Sequence, residues 1–186
     1  MIIYRLKFDF NNCEWLYNVQ SDRDEYIFNG DSLSESWKTL NLYTDRPNSI
    51  KDLSKYGVGV IVFSSKVLEN DKLLTCLELG GELLPVEIEE VGKAYIYNIT
   101  SVCNAIDSQK TIYRYALSDK PFAIGFEKPT FIKNRLSNSS IFKVPLTSKT
   151  EIYVQLDGLE DSSFNFKKII EESGIKGLNF TEVYKE

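Results

Sequence analysis

The sequence contains no histidine among its 186 residues and only three cysteines. Histidine is the commonest general base and metal ligand, so its absence excludes Ser–His and Cys–His catalytic pairs and histidine-based zinc sites within one chain. Cys13, Cys76 and Cys103 lie far apart without a CxxC spacing. We expect them to be free, mostly buried thiols in a reducing compartment. No catalytic residue, metal site or cofactor is predicted.

An excess of positive charge is also missing. The chain has 22 Lys and Arg against 27 Asp and Glu, a net charge of −5. This balance argues against nucleic-acid binding, which requires basic side chains to displace counterions from phosphates. No apolar run approaches the roughly 18–20 residues of a membrane span, and the alternating N-terminus lacks a signal-peptide core. We expect a cytoplasmic protein with neither a membrane nor a nucleic-acid partner.

Aromatic residues are abundant, with eleven Tyr and eleven Phe, and the hydrophobic fraction is 42%. Rings and β-branched side chains suit a pleated surface, so the composition favours a sheet-rich core in a single domain over residues 1–186. Strands are predicted at residues 2–8 and 14–19. The polar residues 20–56 are predicted to form an irregular surface excursion with one short helical turn at most.

The central part of the sequence predicts a strand, a helix and a hairpin. The apolar run 58–63 predicts a buried strand, and Ser64 or Ser65 is expected to cap a helix over residues 64–79. Gly80 fits a left-handed position that ends the helix. Pro85 cannot donate to a ladder, so the strand at residues 84–88 is expected to lie at a sheet edge or to start irregularly, paired with 93–99.

Further short strands and a second helix are predicted downstream. The helix is expected over residues 162–173, with Phe166, Ile169 and Ile170 buried and Gly174 at its end. The pattern is α+β, because short strands and two helices occur without regular βαβ alternation. The remaining strands are predicted at residues 111–117, 122–126, 141–144, 152–154 and 178–183.

Two regions are candidates for partner binding. Glu87 and Glu89 should share the outward face of their strand, with Glu90 beside them, and Glu82 belongs to the same acidic cluster. These acids form either a solvated sheet face or a docking surface for a basic protein. The second region is the excursion, where Asp22 and Asp24 are acidic. Its Trp37 either anchors the loop to the core or, if exposed, anchors an interface.

The order of several segments resembles an immunity-protein family of bacterial polymorphic toxin systems, long catalogued as a domain of unknown function. The resemblance covers about residues 58–184 and consists of short segments in the same order. These segments are 60–65 (VIVFSS), 83–88 (LLPVEI), 95–99 (YIYNI), 104–107 (NAID), 141–144 (IFKV) and 173–180 (SGIKGLNF).

The resemblance implies a non-enzymatic cytoplasmic protein that binds and neutralises a cognate protein toxin encoded by a neighbouring gene. The family offers no catalytic residues to transfer to this sequence. The alternative from the residues themselves is a small-ligand-binding or regulatory module that uses an aromatic-lined pocket. An enzyme relying on carboxylate, tyrosine or lysine chemistry is a third, less favoured class.

Overall fold

The computed structural model describes residues 1–19, 26–117, 121–156 and 162–186. It shows the predicted α+β fold, with two helices and sheets of mainly antiparallel strands. The helices are α1 (Asp71–Gly80) and α2 (Phe166–Glu172). The strands are β1 (Ile2–Phe8), β2 (Glu14–Asn18), β3 (Leu40–Tyr43), β4 (Leu53–Tyr56), β5 (Ile61–Ser64), β6 (Gly81–Ile88), β7 (Gly92–Ile99), β8 (Ile112–Tyr115), β9 (Ala123–Lys128), β10 (Ile141–Phe142), β11 (Ile152–Gln155) and β12 (Leu178–Lys185).

Six strands close into a barrel in the order β2-β3-β6-β7-β5-β4. Most pairs are antiparallel, but β2 pairs with β4 and β3 pairs with β6 in parallel. Mostly Leu, Ile and Val side chains fill the interior, because alternate residues of each strand point inward. Phe28 and Trp37, which precede β3, pack against this interior cluster.

A second sheet has the order β10-β11-β1-β12. One face of it packs with α1, α2 and the outside of the barrel in a shared apolar core that includes Leu6, Phe63 and Phe166. The other face carries an aromatic cluster around Phe131, Phe142 and Tyr153. The hairpin β8–β9 contributes Phe126 to this cluster. The chain therefore stacks a barrel, a helical layer, a sheet and a hairpin.

The prediction of an irregular excursion over residues 20–56 is wrong for two stretches. Residues 40–43 and 53–56 are the barrel strands β3 and β4. Both are only four residues long and contain polar residues. β3 pairs with β2 and β6, which are distant in sequence, whereas β4 pairs with the distant β2 and with β5, the strand that follows it. Local pattern therefore carried little signal for them. Residues 20–25 lie outside the described part of the chain.

The first helix begins later than predicted. Residues 67–69 form a 3-10 turn, and Asn70 rather than Ser64 or Ser65 caps α1, since its side chain accepts a hydrogen bond from the Leu73 N–H at 3.1 Å. Ser65 instead donates its hydroxyl to the carbonyl of Lys93. Likewise, Asn165 caps α2 by accepting from the Lys168 N–H, so that helix spans 166–172 rather than 162–173.

Two details of the helix-to-strand passage differ from prediction. Gly80 is the last helical residue and lacks a positive φ, and the chain passes directly into β6 through Gly81, which is extended. The predicted edge position of Pro85 is also wrong, because β6 lies between β3 and β7 in the closed barrel. The pairing with β3 starts only at Val86, so the proline falls just outside that parallel ladder.

Candidate binding surfaces

An acidic face lies on the outside of the barrel where β6 turns into β7. Glu87 lies in register with Asn41 of β3 and Lys93 of β7, and Glu89 and Glu90 form the turn that follows. All three are exposed, as the alternation predicts for Glu87 and Glu89. Their carboxylates make no hydrogen bond or ion pair to any described residue. We call Glu87, Glu89 and Glu90 the acidic face.

Glu82, grouped with these acids in the sequence, has a different environment. Its carboxylate accepts hydrogen bonds from the Leu33 N–H at 2.6 Å, the Ser32 hydroxyl at 2.8 Å and the Asn98 amide at 2.7 Å. Burial alone would raise the pKa of this carboxyl, but the hydrogen bonds, led by that of Leu33, lower it below its ordinary value. Glu82 therefore holds the segment before β3 against the barrel.

Trp37 joins that segment to the acid-bearing strand. Its indole Nε1 donates a hydrogen bond to the carbonyl of Pro85 at 2.9 Å, two residues from Glu87. The ring is half-buried and packs 4.4 Å from the Tyr26 ring and 6.3 Å from the Phe28 ring. Trp37 is thus an anchor of its loop, and the structure brings it next to the acidic face. Asp22 and Asp24 lie outside the described residues.

A groove of about 300 Å³ separates the other side of the barrel from the second sheet. Lys55, on the outer side of β4, extends along it and is only 9% exposed. Its ammonium lies 3.7 Å from the centroid of the Trp15 ring and 5.2 and 5.4 Å from those of Phe8 and Phe10. Burial lowers the pKa of Lys55, with a smaller opposing contribution from Cys13.

A polar cluster lines the sheet side of this groove. Glu151 Oε2 accepts the Tyr153 hydroxyl at 2.6 Å, while its Oε1 lies 3.8 Å from Arg5 Nε and 3.4 Å from Arg114 Nη2. Arg5 also donates through Nη2 to the carbonyl of Phe126. Burial, reinforced by the Glu151 charge, raises the pKa of the Tyr153 phenol. The cluster holds the Glu151 carboxylate in place between two guanidinium groups.

A second lysine is buried between the barrel and the sheet layer. Lys143 is 1% exposed and donates from Nζ to the carbonyl of Phe28 at 2.8 Å. Burial lowers its pKa from 10.5 to about 8. The backbone of Lys143 bonds to Ser101 and Cys103, so the residue is fixed at both ends.

Sequence reasoning missed both buried lysines. The sequence does contain a signal for the burial of Lys143, because this lysine interrupts the apolar run Ile141-Phe-Lys-Val144. The sequence contains no such signal for Lys55, because the side on which this lysine lies can be predicted only once β4 is recognised as a strand. The burial predicted for the cysteines is confirmed: Cys13 and Cys76 are buried, and Cys103 is partly buried, each as a free thiol in the structure.

Within the described ranges, no three His, Cys, Asp or Glu side chains converge as a metal site. No helix in those same ranges is long and apolar enough to cross a membrane.

No family model matches the chain. A search of curated proteins likewise finds no significant match.

Proposed function

We propose that this protein is a non-enzymatic, cytoplasmic immunity protein that binds and neutralises a cognate protein toxin encoded by a neighbouring gene. Two observations support the proposal. Segments between residues 58 and 184 resemble an immunity-protein family in order and pattern. The acidic face offers carboxylates on a barrel whose strands are closed in a ring. The toxin surface that fits this face is basic.

The strongest support for the proposal is the arrangement of the acidic face. Its three carboxylates are exposed and make no ion pair with a described residue, so a partner's Lys or Arg can pair with them without breaking existing pairs. Glu87 is fixed by its strand, and Glu90 by a turn in which its own φ is 63°. Pre-positioned charge lowers the ordering entropy of association.

Trp37 extends this surface along the barrel. The hydrogen bond to Pro85 fixes the loop beside β6, and the exposed acids Asp31 and Glu35 lie on that same loop. A standard interface needs about 800 Å² from each partner. Charges at such a face act mainly on the association rate and on specificity. We therefore assign Trp37 a positioning role and the carboxylates the steering role.

The test is co-expression with the toxin encoded beside this gene. The wild-type chain should rescue growth and elute with the toxin on a sizing column. The triple variant Glu87→Lys, Glu89→Lys, Glu90→Lys should lose rescue and bind at least tenfold more weakly. Like charges facing each other across an interface disfavour association.

A matched control separates location from net charge. Glu78, Glu127 and Glu172 are exposed on other elements, and their triple change to lysine alters the net charge equally. This variant should bind like the wild type. Absence of both rescue and complex with the wild-type chain, or equal weakening by both triples, contradicts the proposal.

A further inference from the structure

The Lys55 ammonium has no hydrogen-bond acceptor or ion-pair partner among the described residues, although nine-tenths of the residue is buried. Its Nζ is not one of the fully enclosed, unpartnered atoms, so the nitrogen is reachable from the groove. The surrounding rings of Trp15, Phe8 and Phe10 provide cation–π attraction. They supply no lone pair of the kind that an ammonium's three N–H donors require. The residue lines the groove, so a ligand bound there can supply an acceptor to its ammonium.

The groove is positively charged in an acidic protein. Arg5, Lys7 and Lys55 line it against a single acid, Glu151, whereas the whole chain carries a net charge of −5. Glu151 is already held by Arg5, Arg114 and Tyr153. Basic side chains in a low-dielectric cleft concentrate anions. An anion at Lys55 would also offset the burial that lowers the pKa of this lysine.

The shape of the groove favours an anion with an apolar body. Phe10 and Val58 line the same groove and are 64% and 57% exposed. They offer a ring-sized apolar contact next to the ammonium. The nearby Glu151 disfavours a doubly charged group, and Lys55 is the one nine-tenths-buried cation here without a described acceptor. Both points favour a carboxylate over a phosphate.

We propose that this groove binds a small carboxylate with an apolar ring, its anion on the Lys55 ammonium and its ring against Phe10 and Val58. The inference does not rest on the proposed immunity function. In the ring of six strands, β4, which carries Lys55, lies opposite β6, which carries the acidic face. Carboxylate binding and toxin binding are therefore separate and can be tested independently.

The experiment titrates phenylacetate into the full chain and follows the Trp15 indole N–H and the Lys55 Nζ resonances by NMR. Trp15 and Trp37 are the two tryptophans of the chain, and a Trp37→Phe variant assigns their signals. We expect saturable shifts with a dissociation constant on the order of 1 mM. Phenylacetamide, a neutral isostere, should bind about tenfold more weakly to the same wild-type protein.

Variants locate the anion site. Lys55→Met keeps the aliphatic stem and removes the ammonium, so phenylacetate binding should fall about tenfold. Lys38→Met, an exposed lysine beside Trp37, should leave it unchanged. Absence of saturable shifts up to about 20 mM phenylacetate overturns the proposal. So does equal binding of the amide, or wild-type affinity in a folded Lys55→Met protein. Tighter binding of phenyl phosphate than of phenylacetate would overturn the carboxylate assignment.

Discussion

Trp37 and Pro85, 48 residues apart in sequence, are joined by a hydrogen bond from the indole Nε1 to the proline carbonyl. The proline carbonyl is available because β3 pairs with β6 only from Val86 onward. The Trp37 indole N–H thus bonds to β6 at the residue just before the parallel pairing with β3 begins. This one contact gives the Pro85 carbonyl a donor and positions the loop next to the acidic face.

Trp37→Phe should lower the free energy of unfolding by about 1 kcal/mol, because one partly buried hydrogen bond is lost while most ring contacts remain. Urea denaturation measures this change. Amide exchange at Lys38, whose N–H donates to the Tyr26 hydroxyl beside the Trp37 ring, should become faster. Tyr17→Phe, at an exposed ring on β2, is the control and should change stability by less than about 0.5 kcal/mol. Unaltered stability and exchange in Trp37→Phe would refute the anchoring role.

Glu82→Gln should destabilise the protein by about 1–2 kcal/mol at neutral pH, since charge-assisted hydrogen bonds to Leu33, Ser32 and Asn98 are weakened. The folded-state pKa of Glu82 lies below its ordinary value of 4.5. Its contribution is therefore present above pH 4.5 and is lost as the pH falls through the folded-state pKa. The difference between variant and wild type should shrink on acidification.

Denaturant titrations at several pH values test this dependence. Glu87→Gln is the matched control, because Glu87 is exposed and its carboxylate has no described partner. A Glu82→Gln deficit that stays constant from neutral to acidic pH would rule out the assigned role of the carboxylate.

Lys143→Met should show a pH-dependent stability difference from the wild type. The folded-state pKa of Lys143 is about 8 and the ordinary value is 10.5, so the unfolded chain binds the proton more tightly. The cost of burying the Lys143 charge is therefore absent above pH 10.5, and it is fully present once the pH has fallen below about 8. The variant's stability relative to the wild type should decrease by up to about 3 kcal/mol from pH 7 to pH 10.5.

Chemical denaturation at closely spaced pH values measures this difference. The buried tyrosines and cysteines titrate in both proteins, so their contributions cancel. Lys66→Met, at an exposed lysine, is the control for the loss of a lysine from the surface. A flat difference for Lys143→Met would show that the lysine carries its charge in the folded state without penalty.

Gly81→Ala should be strongly destabilising, by more than about 3 kcal/mol, because an added Cβ would lie 2.2 Å from the Asn98 carbonyl oxygen on the paired strand. The backbones of β6 and β7 would have to move apart at this point. Gly174→Ala is the comparison: its φ is +67° and nothing lies within 4 Å of the added Cβ, so backbone strain of about 1 kcal/mol is expected. Thermal melts of both variants rank the two effects, and similar melting temperatures would contradict the steric explanation.

The sequence predicted strands well where alternation was long. The alternation of Leu84, Val86 and Ile88 located the last five of the eight residues of β6, and β7 was predicted at residues 93–99 as its hairpin partner. β3 and β4, with four residues each, were missed because polar residues interrupt their short apolar patterns, whereas the equally short β5 and β11 were predicted from continuous apolar runs. The parallel pairing of β3 with β6 likewise gives no signal in the local sequence of Leu40–Tyr43.

The candidate sites divide in the same way. Exposure of Glu87 followed from a period of two, but the link between Trp37 and Pro85 required the closed barrel. The cap of the first helix was misplaced and the second helix was predicted to start too early, because several serines and asparagines near each N-terminus can accept a backbone N–H. Asn70 and Asn165 act as caps because the strands and turns before them fix where each helix starts.

The pairing of β1 with β11 and β12 has a consequence for synthesis on the ribosome. All six barrel strands lie between residues 14 and 99, whereas β1 is flanked by strands that begin at Ile152 and Leu178. A nascent chain can close its barrel before β11 and β12, the pairing partners of β1, have been synthesised. Its apolar Ile3 and Leu6 then stay uncovered until the last strand has left the exit tunnel, which makes this early segment a natural target for a holding chaperone.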